Sequence, residues 1–400
     1  MSANQLFIDP LIEGLKKQWE AAGFTEPTSV QEQTFKIIAD GTDCIAESPT
    51  GTGKTLAYLL PVLNKIDPNE QKVQVVILAP SRELVMQIFE VTQMWTKETG
   101  ITAASFIGGA NPKRQLEKLK KHPHVVIGTP GRIEELIKLK KLKMHGVKTI
   151  ILDEGDQLLI PEHLPTVGTV IKSTMRDRQV LLFSATLPVS LEEEASQWMN
   201  EPVVVRVKKE KAEQAKVDHI YFVCEPRDKI IILEKLAKMA EMRALVFGRD
   251  IGNLEVMAKK LEYKGVDLAV IHGESKKVDR ERAIRQFRNQ QSTILLATDV
   301  AARGLDIKGL PYVIHVDFPE TLSQYVHRSG RTGRSGASGT VVSIVTPREE
   351  RELKKYAREL KIPLKRKELF KGKIVDERPV YESKAKTNSK PKGRPQKNRR

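Results

Sequence analysis

The sequence predicts an α/β protein made of two lobes, each a mostly parallel sheet flanked by helices. Short apolar runs alternate with longer amphipathic stretches along the 400 residues, which is the pattern of parallel strands joined by helical crossovers. At roughly 150 residues per domain, the chain is also too long for one compact core. Residues 206–216 (RVKKEKAEQAK) alternate in charge and have no large apolar side chain after Val207, so they are predicted to link the lobes.

Each half of the chain supplies five candidate strands. In the first half, apolar runs end near Glu47, Pro80, Thr129, Asp153 and Ser184. In the second half, the runs cover residues 244–247, 268–272, 293–298, 312–316 and 341–345. We therefore expect a first domain over residues 1–205, the linker over 206–216 and a second domain over 217–363.

The positive charge of the chain is concentrated in its last residues. The whole sequence carries a net charge of +16, while residues 364–400 hold 14 Lys and Arg against 4 Asp and Glu and so account for +10 of it. Residues 383–400 contain neither acidic nor large apolar side chains, so burial cannot offset the entropy of ordering them. A basic, largely disordered tail over 364–400 is predicted, and its charge indicates a polyanionic partner.

Several classes of protein are excluded by the composition. The longest apolar runs are strand-sized, far below the roughly 20 residues that span a bilayer. The N-terminus lacks the basic start and apolar core of a secretory signal. Cys44 and Cys224 lie in apolar stretches without a CxxC or Cys/His cluster, which argues against a zinc site or disulfide framework. The prediction is a cytoplasmic protein with no membrane partner.

Residues 48–55 form a loop suited to gripping phosphate. An apolar run leads into the loop and leucines recur at helical spacing after it, so the order is strand, loop and helix. Glycines let backbone N–H groups curl around phosphate oxygens, the Lys54 ammonium adds positive charge, and the Thr55 hydroxyl can bind Mg²⁺. The predicted phosphate-binding residues are Ser48, Pro49, Thr50, Gly51, Thr52, Gly53, Lys54 and Thr55.

A second apolar run ends in two carboxylates. Asp153 and Glu154 directly follow residues 150–152 (IIL). Asp153 is predicted to hold Mg²⁺ through water, and Glu154 to orient or deprotonate an attacking water. Beside a phosphate loop, this pair predicts ATP hydrolysis, with ATP and Mg²⁺ bound.

These motifs and others, in order along residues 7–346, resemble those of the DEAD-box RNA helicases, superfamily-two ATPases with two RecA-like domains. The signature at residues 153–156 reads DEGD, and the short basic tail resembles that of a bacterial member with a minimal core. The resemblance implies an RNA-dependent ATPase that converts ATP to ADP and phosphate. It further implies closure of the two domains on RNA, local duplex unwinding and remodelling of RNA or RNA–protein complexes.

The resemblance assigns ATP-site residues to both lobes. Phe24 is expected to stack on adenine, Gln31 to read the adenine edge, and Asp306 to contact the ribose. Arg331 and Arg334 are the expected arginine fingers, and they reach the γ-phosphate only when the lobes close. The implied catalytic set is Lys54, Asp153, Glu154, His327, Arg331 and Arg334.

The remaining implied residues couple ATP to RNA or bind RNA. Ser184 and Thr186 are the expected coupling residues, together with Asp156, which His327 would contact. RNA contacts are implied for Pro80, Arg82, Gly108, Gly109, Thr129, Pro130, Gly131, Arg132, Arg280 and Thr298. Because such contacts go to sugar and phosphate, we expect single strands and short duplexes to bind with little sequence preference.

Two positions depart from the family pattern. Gly155 stands where alanine is usual, and Lys277 stands where glutamine is usual beside Arg280. Neither change removes a catalytic group, so the chemistry is expected to survive.

Two other functions stay open at this stage. A DNA-directed or double-strand translocase of the same superfamily is disfavoured by the adenine motif over residues 24–31 and by the short lobes. A non-enzymatic RNA clamp is disfavoured by the presence of Glu154, Arg331 and Arg334. Ribosome assembly, RNA decay and translation initiation all suit a minimal core; the basic tail favours ribosomal RNA or pre-ribosomal particles, and no oligomer is required.

Overall fold

The computed structural model of the protein describes residues 7–109, 111–207, 217–240, 242–302, 307, 309–333 and 337–376. Most of the predicted linker, two predicted site residues and the end of the predicted tail lie outside these ranges: residues 208–216, Asp306, Arg334 and residues 377–400. The Lys277 side chain also lies outside the described part of the chain.

Lobe one contains a seven-stranded sheet in the order β3-β4-β2-β5-β6-β1-β7, and all of its strand pairs are parallel. The strands are β1 Cys44–Glu47, β2 Val75–Leu78, β3 Ala103–Phe106, β4 Val125–Gly128, β5 Thr149–Asp153, β6 Gln179–Ser184 and β7 Val203–Arg206. The helices are α1 Glu13–Ala21, α2 Ser29–Ala39, α3 Lys54–Leu63, α4 Arg82–Trp95, α5 Pro112–Leu119, α6 Pro130–Lys138, α7 Gly155–Leu158, α8 Leu164–Lys172 and α9 Val189–Ser196.

The first sheet is buried on both faces. Successive side chains of a strand point to opposite faces. In β5, Ile151 belongs to one apolar cluster while Ile150 and Leu152 belong to the other. This explains why the strands are continuous apolar runs rather than alternating ones.

Lobe two contains an eight-stranded sheet in the order β10-β11-β9-β12-β13-β8-β14-β15, parallel except for the last pair. The strands are β8 Val217–Val223, β9 Ala244–Gly248, β10 Leu268–Ile271, β11 Ile294–Thr298, β12 Tyr312–His315, β13 Gly339–Val345, β14 Leu364–Phe370 and β15 Lys373–Asp376. The helices are α10 Lys229–Ala237, α11 Ile251–Tyr263, α12 Lys277–Arg288, α13 Asp299–Ala302, α14 Leu322–Ser329 and α15 Pro347–Glu359, with a 3₁₀ turn at Pro226–Asp228.

The predicted fold of two α/β lobes is confirmed, but the predicted tail begins too early. Residues 364–376 are not disordered: β14 pairs with β8 and then turns back as β15. Leu364, Leu369 and Ile374 pack against the core of lobe two, and this apolar contact outweighs the charge of the intervening lysines. The start of the predicted linker is also wrong, since Arg206 ends β7 and Val207 is buried.

The sheet order in lobe one brings three loops together. Strands β5, β6 and β1 are adjacent and parallel, so their carboxyl ends lie at one edge. Glu47 of β1 is level with Ser184 of β6, and Asp153 of β5 is level with Phe183. The phosphate loop, the DEGD signature and the segment after Ser184 therefore meet where α/β proteins bind ligands.

Gly155 is packed closely against β6. A Cβ atom at this position would lie 2.7 Å from Cγ of Leu182, so a side chain here requires Leu182 to move. We predict that Gly155→Ala lowers the free energy of unfolding of lobe one by about 1–3 kcal/mol in urea denaturation, because the site becomes overpacked. Leu182→Val should recover part of this loss.

Gly252→Ala is the matched control for this substitution. Its Cβ would meet the nearest atom, Oδ1 of Asp250, at an ordinary 3.7 Å. Equal stability of the Gly155→Ala and Gly252→Ala proteins would contradict the packing argument.

Candidate active site between the two lobes

The phosphate loop is held in an open curve by its own side chains. Gly51 and Gly53 have φ values of 82° and 85°, in the left-handed region where glycine carries no steric penalty. The hydroxyls of Ser48 and Thr52 lie 2.6 Å apart, and the Thr52 hydroxyl donates to the Pro49 carbonyl at 2.8 Å. Helix α3 begins at Lys54, so its free N–H groups face the inside of the loop.

Lys54 lies between the loop and the acidic signature. Its ammonium donates to the Ser48 carbonyl at 2.5 Å. Burial lowers the pKa of Lys54, while the carboxylates of Asp153, Asp156 and Glu154 act in the opposite direction. The amine is therefore placed where an added phosphate would favour its charged form.

Asp153 is buried at the end of β5. It accepts a hydrogen bond from the Tyr58 hydroxyl at 2.9 Å and one from the Glu154 amide at 2.9 Å. Burial and the neighbouring Glu154 carboxylate raise the pKa of Asp153 to about 6, against the opposing charge of Lys54. Such a carboxylate gains from a nearby cation.

Glu154 occupies a strained backbone position. Its φ of 54° and ψ of 54° are left-handed, which is uncommon for a residue with a side chain. Its Oε2 atom is buried and has no hydrogen-bond partner among the described residues. This orphaned oxygen, on the residue predicted to act on water, fits a site completed by a small polar molecule.

The residues predicted to bind adenine lie beside the loop. The Phe24 side chain is 45% exposed and its ring stacks on Trp95, with centroids 6.4 Å apart and planes 8° from parallel. Gln31 accepts from the Thr28 amide at 2.9 Å and donates to the Gly53 carbonyl at 3.2 Å. One hydrogen on Nε2 and one lone pair on Oε1 remain for a base edge.

Asp156 joins the two lobes. Its Oδ2 atom accepts from the Thr186 hydroxyl at 2.8 Å, from His327 Nε2 at 2.7 Å and from the Ser323 hydroxyl. Burial alone would raise the pKa of Asp156, but the charge and hydrogen bond of His327 and the hydroxyls of Ser323 and Thr186 hold it well below its usual range. The predicted His327 contact is present.

Ser184 supports the same carboxylate from the neighbouring strand. Its hydroxyl accepts from the Asp156 amide at 3.3 Å and from the Thr186 amide at 3.4 Å. The two predicted coupling residues thus both contact Asp156.

A cavity of about 1080 Å³ opens between the lobes. Lobe one lines it with the phosphate loop, Asp153 and Glu154, and lobe two lines it with Arg331 and Arg280. The Thr50 hydroxyl donates to the Gly330 carbonyl across the cleft at 3.5 Å. Arg331 is buried beside the residues that it was predicted to join.

The RNA-contact residues of lobe one form a connected surface. The exposed Arg82 guanidinium lies over the glycine pair, because a Cβ at Gly109 would come within 2.9 Å of its Nη1 atom. Gln115 of α5 donates to the Ile107 carbonyl at 3.0 Å and accepts from Arg132 Nε at 3.2 Å. The loop of Gly108 and Gly109 is therefore tied to the start of α6, where Thr129, Pro130 and Gly131 lie.

Two predicted RNA contacts are placed differently by the structure. Arg132 is only 8% exposed and pairs with Glu135 at 2.6 Å, so it braces the loops rather than offering a free charge to phosphate. Arg280 donates to the Ala301 carbonyl at 2.7 Å and pairs with Glu83 of lobe one at 3.2 Å. Arg280 therefore contributes to lobe contact within the cavity. Both roles depend on partners that are distant in sequence.

Two other predicted RNA contacts lie at strand ends. Thr298 ends β11, and its hydroxyl is buried without a hydrogen-bond partner in the described part of the chain. Pro80 lies just after β2 and before Ser81, whose hydroxyl accepts from the Leu84 amide to cap α4.

Three contributing residues were not found from the sequence. Tyr58 and Ser323 lie inside helices whose spacing indicates only packing, and no local pattern marks them. Gln157 directly follows the signature, and its Nε2 lies 3.1 Å from His327 Nδ1. Its position beside Asp156 is the one signal that the sequence offered.

Two wider searches bear on the site. Within the described residues, no group of three or more His, Cys, Asp and Glu side chains could hold a metal by itself. Every helix in that part of the chain is also too short or too polar to cross a bilayer.

Two protein-family models match this chain, one in each lobe. The DEAD/DEAH box helicase model matches residues 28–194, and the helicase conserved C-terminal domain model matches residues 228–336. Together they cover more than half of the sequence.

Curated relatives match over almost their whole length. The probable ATP-dependent RNA helicase YfmL of Bacillus subtilis (strain 168) is 56% identical over 360 residues, covering 90% of this chain and 96% of the relative. The DEAD-box ATP-dependent RNA helicase CshC of Bacillus cereus is 50% identical over 372 residues, covering 93% of this chain and 95% of the relative.

Solved structures match both lobes. S. cerevisiae Dbp5 bound to RNA and ADP BeF3 has a TM-score of 0.81 at 27% identity, covering 91% of this chain and 95% of Dbp5. A DEAD box protein from Methanococcus jannaschii has a TM-score of 0.53 at 30% identity, covering 89% of this chain and 97% of that protein. With the phosphate loop, the DEGD signature and Arg331 arranged around one cleft, this chain belongs to the DEAD-box family and is an ATP-dependent RNA helicase.

Proposed function

We propose that the cavity between the lobes binds ATP with Mg²⁺ and hydrolyses it only when RNA has brought the lobes together. The observation that carries this proposal is the composition of the cavity wall. Lys54, Asp153 and Glu154 come from lobe one, while Arg331 comes from lobe two. A complete site therefore exists only in the closed arrangement.

Glu154 is the proposed general base. Its orphaned Oε2 and strained backbone support a carboxylate held ready for the attacking water. The water would give its proton to Glu154 as it attacks the γ-phosphorus, and ADP would leave with the bridging oxygen. Lys54 and the loop N–H groups stabilise the phosphate charge that develops.

The described residues fit a magnesium ion held largely by ATP and water. Asp153 is a buried carboxylate with raised pKa, and the Thr55 hydroxyl follows Lys54 at the start of α3. Mg²⁺ keeps several waters and uses few protein ligands, which agrees with the lack of a larger ligand cluster among the described residues. When bound, the ion would neutralise charge on the β- and γ-phosphates.

Arg331 is the proposed arginine finger, and Arg334 its companion. A finger supplied on closure raises the rate by roughly 10³ to 10⁵, equivalent to about 4–7 kcal/mol of barrier. Arg331 already lies in the cavity wall opposite Lys54. An enzyme with separated lobes would lack this contribution and be nearly idle.

The placement of the lobes supports a closed, RNA-competent state. The two solved structures align to similar shares of this chain, yet one scores 0.81 and the other 0.53. Because each lobe has the same fold in both, the difference comes from how the lobes are placed. The arrangement here is closer to the Dbp5 complex with RNA and ADP BeF3.

RNA is proposed to cross the surface formed by Arg82, Gly108, Gly109 and the start of α6, and then to reach Thr298 in lobe two. Contacts with sugar and phosphate carry little sequence information. Single strands would therefore bind regardless of sequence, and short duplexes would be opened by bending one strand.

We also propose a cytoplasmic role on ribosomal RNA or pre-ribosomal particles, supported by the RNA helicase relatives and the net charge of +16. Crosslinking in cells and sequencing of the bound RNA test this role. A set of bound RNAs without ribosomal sequences would contradict it. All described cavity residues come from one chain, so the proposal needs no oligomer.

The first prediction is RNA-stimulated ATP turnover. Adding single-stranded RNA to the pure protein should raise steady-state kcat by roughly 10²-fold or more, because only closure supplies the arginine finger. DNA of the same length and sequence should stimulate far less. Equal turnover with and without RNA would contradict the proposal, and equal stimulation by DNA would make the enzyme a general nucleic-acid translocase.

A second prediction concerns Glu154. Glu154→Gln should lower kcat by roughly 10²- to 10⁴-fold, because the general base is lost. ATP and RNA binding should persist, so the variant should hold both ligands in a long-lived complex, measured as slow RNA release in the presence of ATP. Glu352→Gln, on the exposed surface of α15, is the control. Repeated cycles of unwinding by the Glu154→Gln protein would rule out this role.

A further inference from the structure

Ser323 and His327 approach Asp156 from the same side of one helix. Both belong to α14, and side chains four residues apart lie on the same helix face. Their donors converge on the same oxygen, Oδ2, which Thr186 of lobe one also contacts. The Asp156 side chain is only 4% exposed, so these donors replace the water that a free carboxylate would have.

The opposite side of His327 is also occupied. Gln157 Nε2 lies 3.1 Å from His327 Nδ1, while His327 Nε2 faces Asp156. With the Gln157 amide donating, the imidazole proton lies on Nε2, directed at the carboxylate. His327 is thus fixed from both sides, which leaves Ser323 as the second lobe-two donor on Asp156.

Ser323 does not line the ATP cavity. It faces a separate space of about 490 Å³ on the other side of the signature, bounded by residues of both lobes such as Gln157 and Thr321. Removing its hydroxyl therefore leaves every described group that faces the phosphates in place. The same space leaves room for one added methyl group.

We propose that Ser323 is a positioning residue for lobe closure. Its hydrogen bond to Asp156 exists only when lobe two is docked, whereas Thr186 contacts Asp156 within lobe one. The hydroxyl therefore strengthens the binding that RNA and ATP confer on each other, and it leaves ATP binding to lobe one alone unaffected. The inference rests on the proposed closure mechanism.

The test compares Ser323→Ala with Ser323→Thr, which keeps the hydroxyl. The dissociation constant of a fluorescent single-stranded RNA is measured with and without ADP BeF3, and the ratio is the coupling factor. We expect Ser323→Ala to lower this factor by about tenfold, the effect of one hydrogen bond to a charged group. Ser323→Thr should restore it. Nucleotide binding without RNA and the Tm of the unliganded protein should stay at their original values.

Ser292→Ala is the matched control. Ser292 is buried in lobe two, and its hydroxyl has no hydrogen-bond partner among the described residues. An unchanged coupling factor in Ser323→Ala, or an equal loss in Ser292→Ala or Ser323→Thr, would overturn the inference. If the original protein itself has a coupling factor of one, the proposed closure mechanism fails as well, which separates the two failures.

Discussion

The carboxylate of Asp156 is the point at which the two lobes depend on each other. It ends a four-residue segment that begins with Asp153 in the ATP cavity, and the left-handed Glu154 turns the chain between them. Burial raises the pKa of Asp153 to about 6, while donors from both lobes hold the pKa of Asp156 well below its usual range. Two carboxyl groups three residues apart are thus tuned for different tasks, one facing a cation and one joining lobes.

Sheet topology makes this division workable. Because β5, β6 and β1 are parallel neighbours, the signature, the coupling hydroxyls and the phosphate loop share one rigid edge. Lobe two presents α14 to that edge, so one helix supplies both donors to Asp156 and leads on to Arg331 in the cavity wall. Movement of this single helix therefore links RNA-dependent closure to completion of the ATP site.

Much of the ATP site could be predicted from the sequence because its chemistry is local. The loop at residues 48–55 needs its glycines, Lys54 and Thr55 in consecutive positions, and the order of motifs gave both lobes. Roles that depend on distant partners could not be predicted: Arg132 meets Gln115, Arg280 meets Glu83, and Ser323 meets Asp156 only in three dimensions. Strand β14 was missed because its lysines outweighed the few apolar residues that hold it to β8.

The central claim is that lobe closure requires RNA and ATP together. Small-angle X-ray scattering of the full chain tests it most directly, in four states: alone, with RNA, with ADP BeF3 and with both. The account predicts a clear decrease in the radius of gyration only in the state that contains both ligands. The same radius in all four states, or full compaction with ADP BeF3 alone, would contradict it.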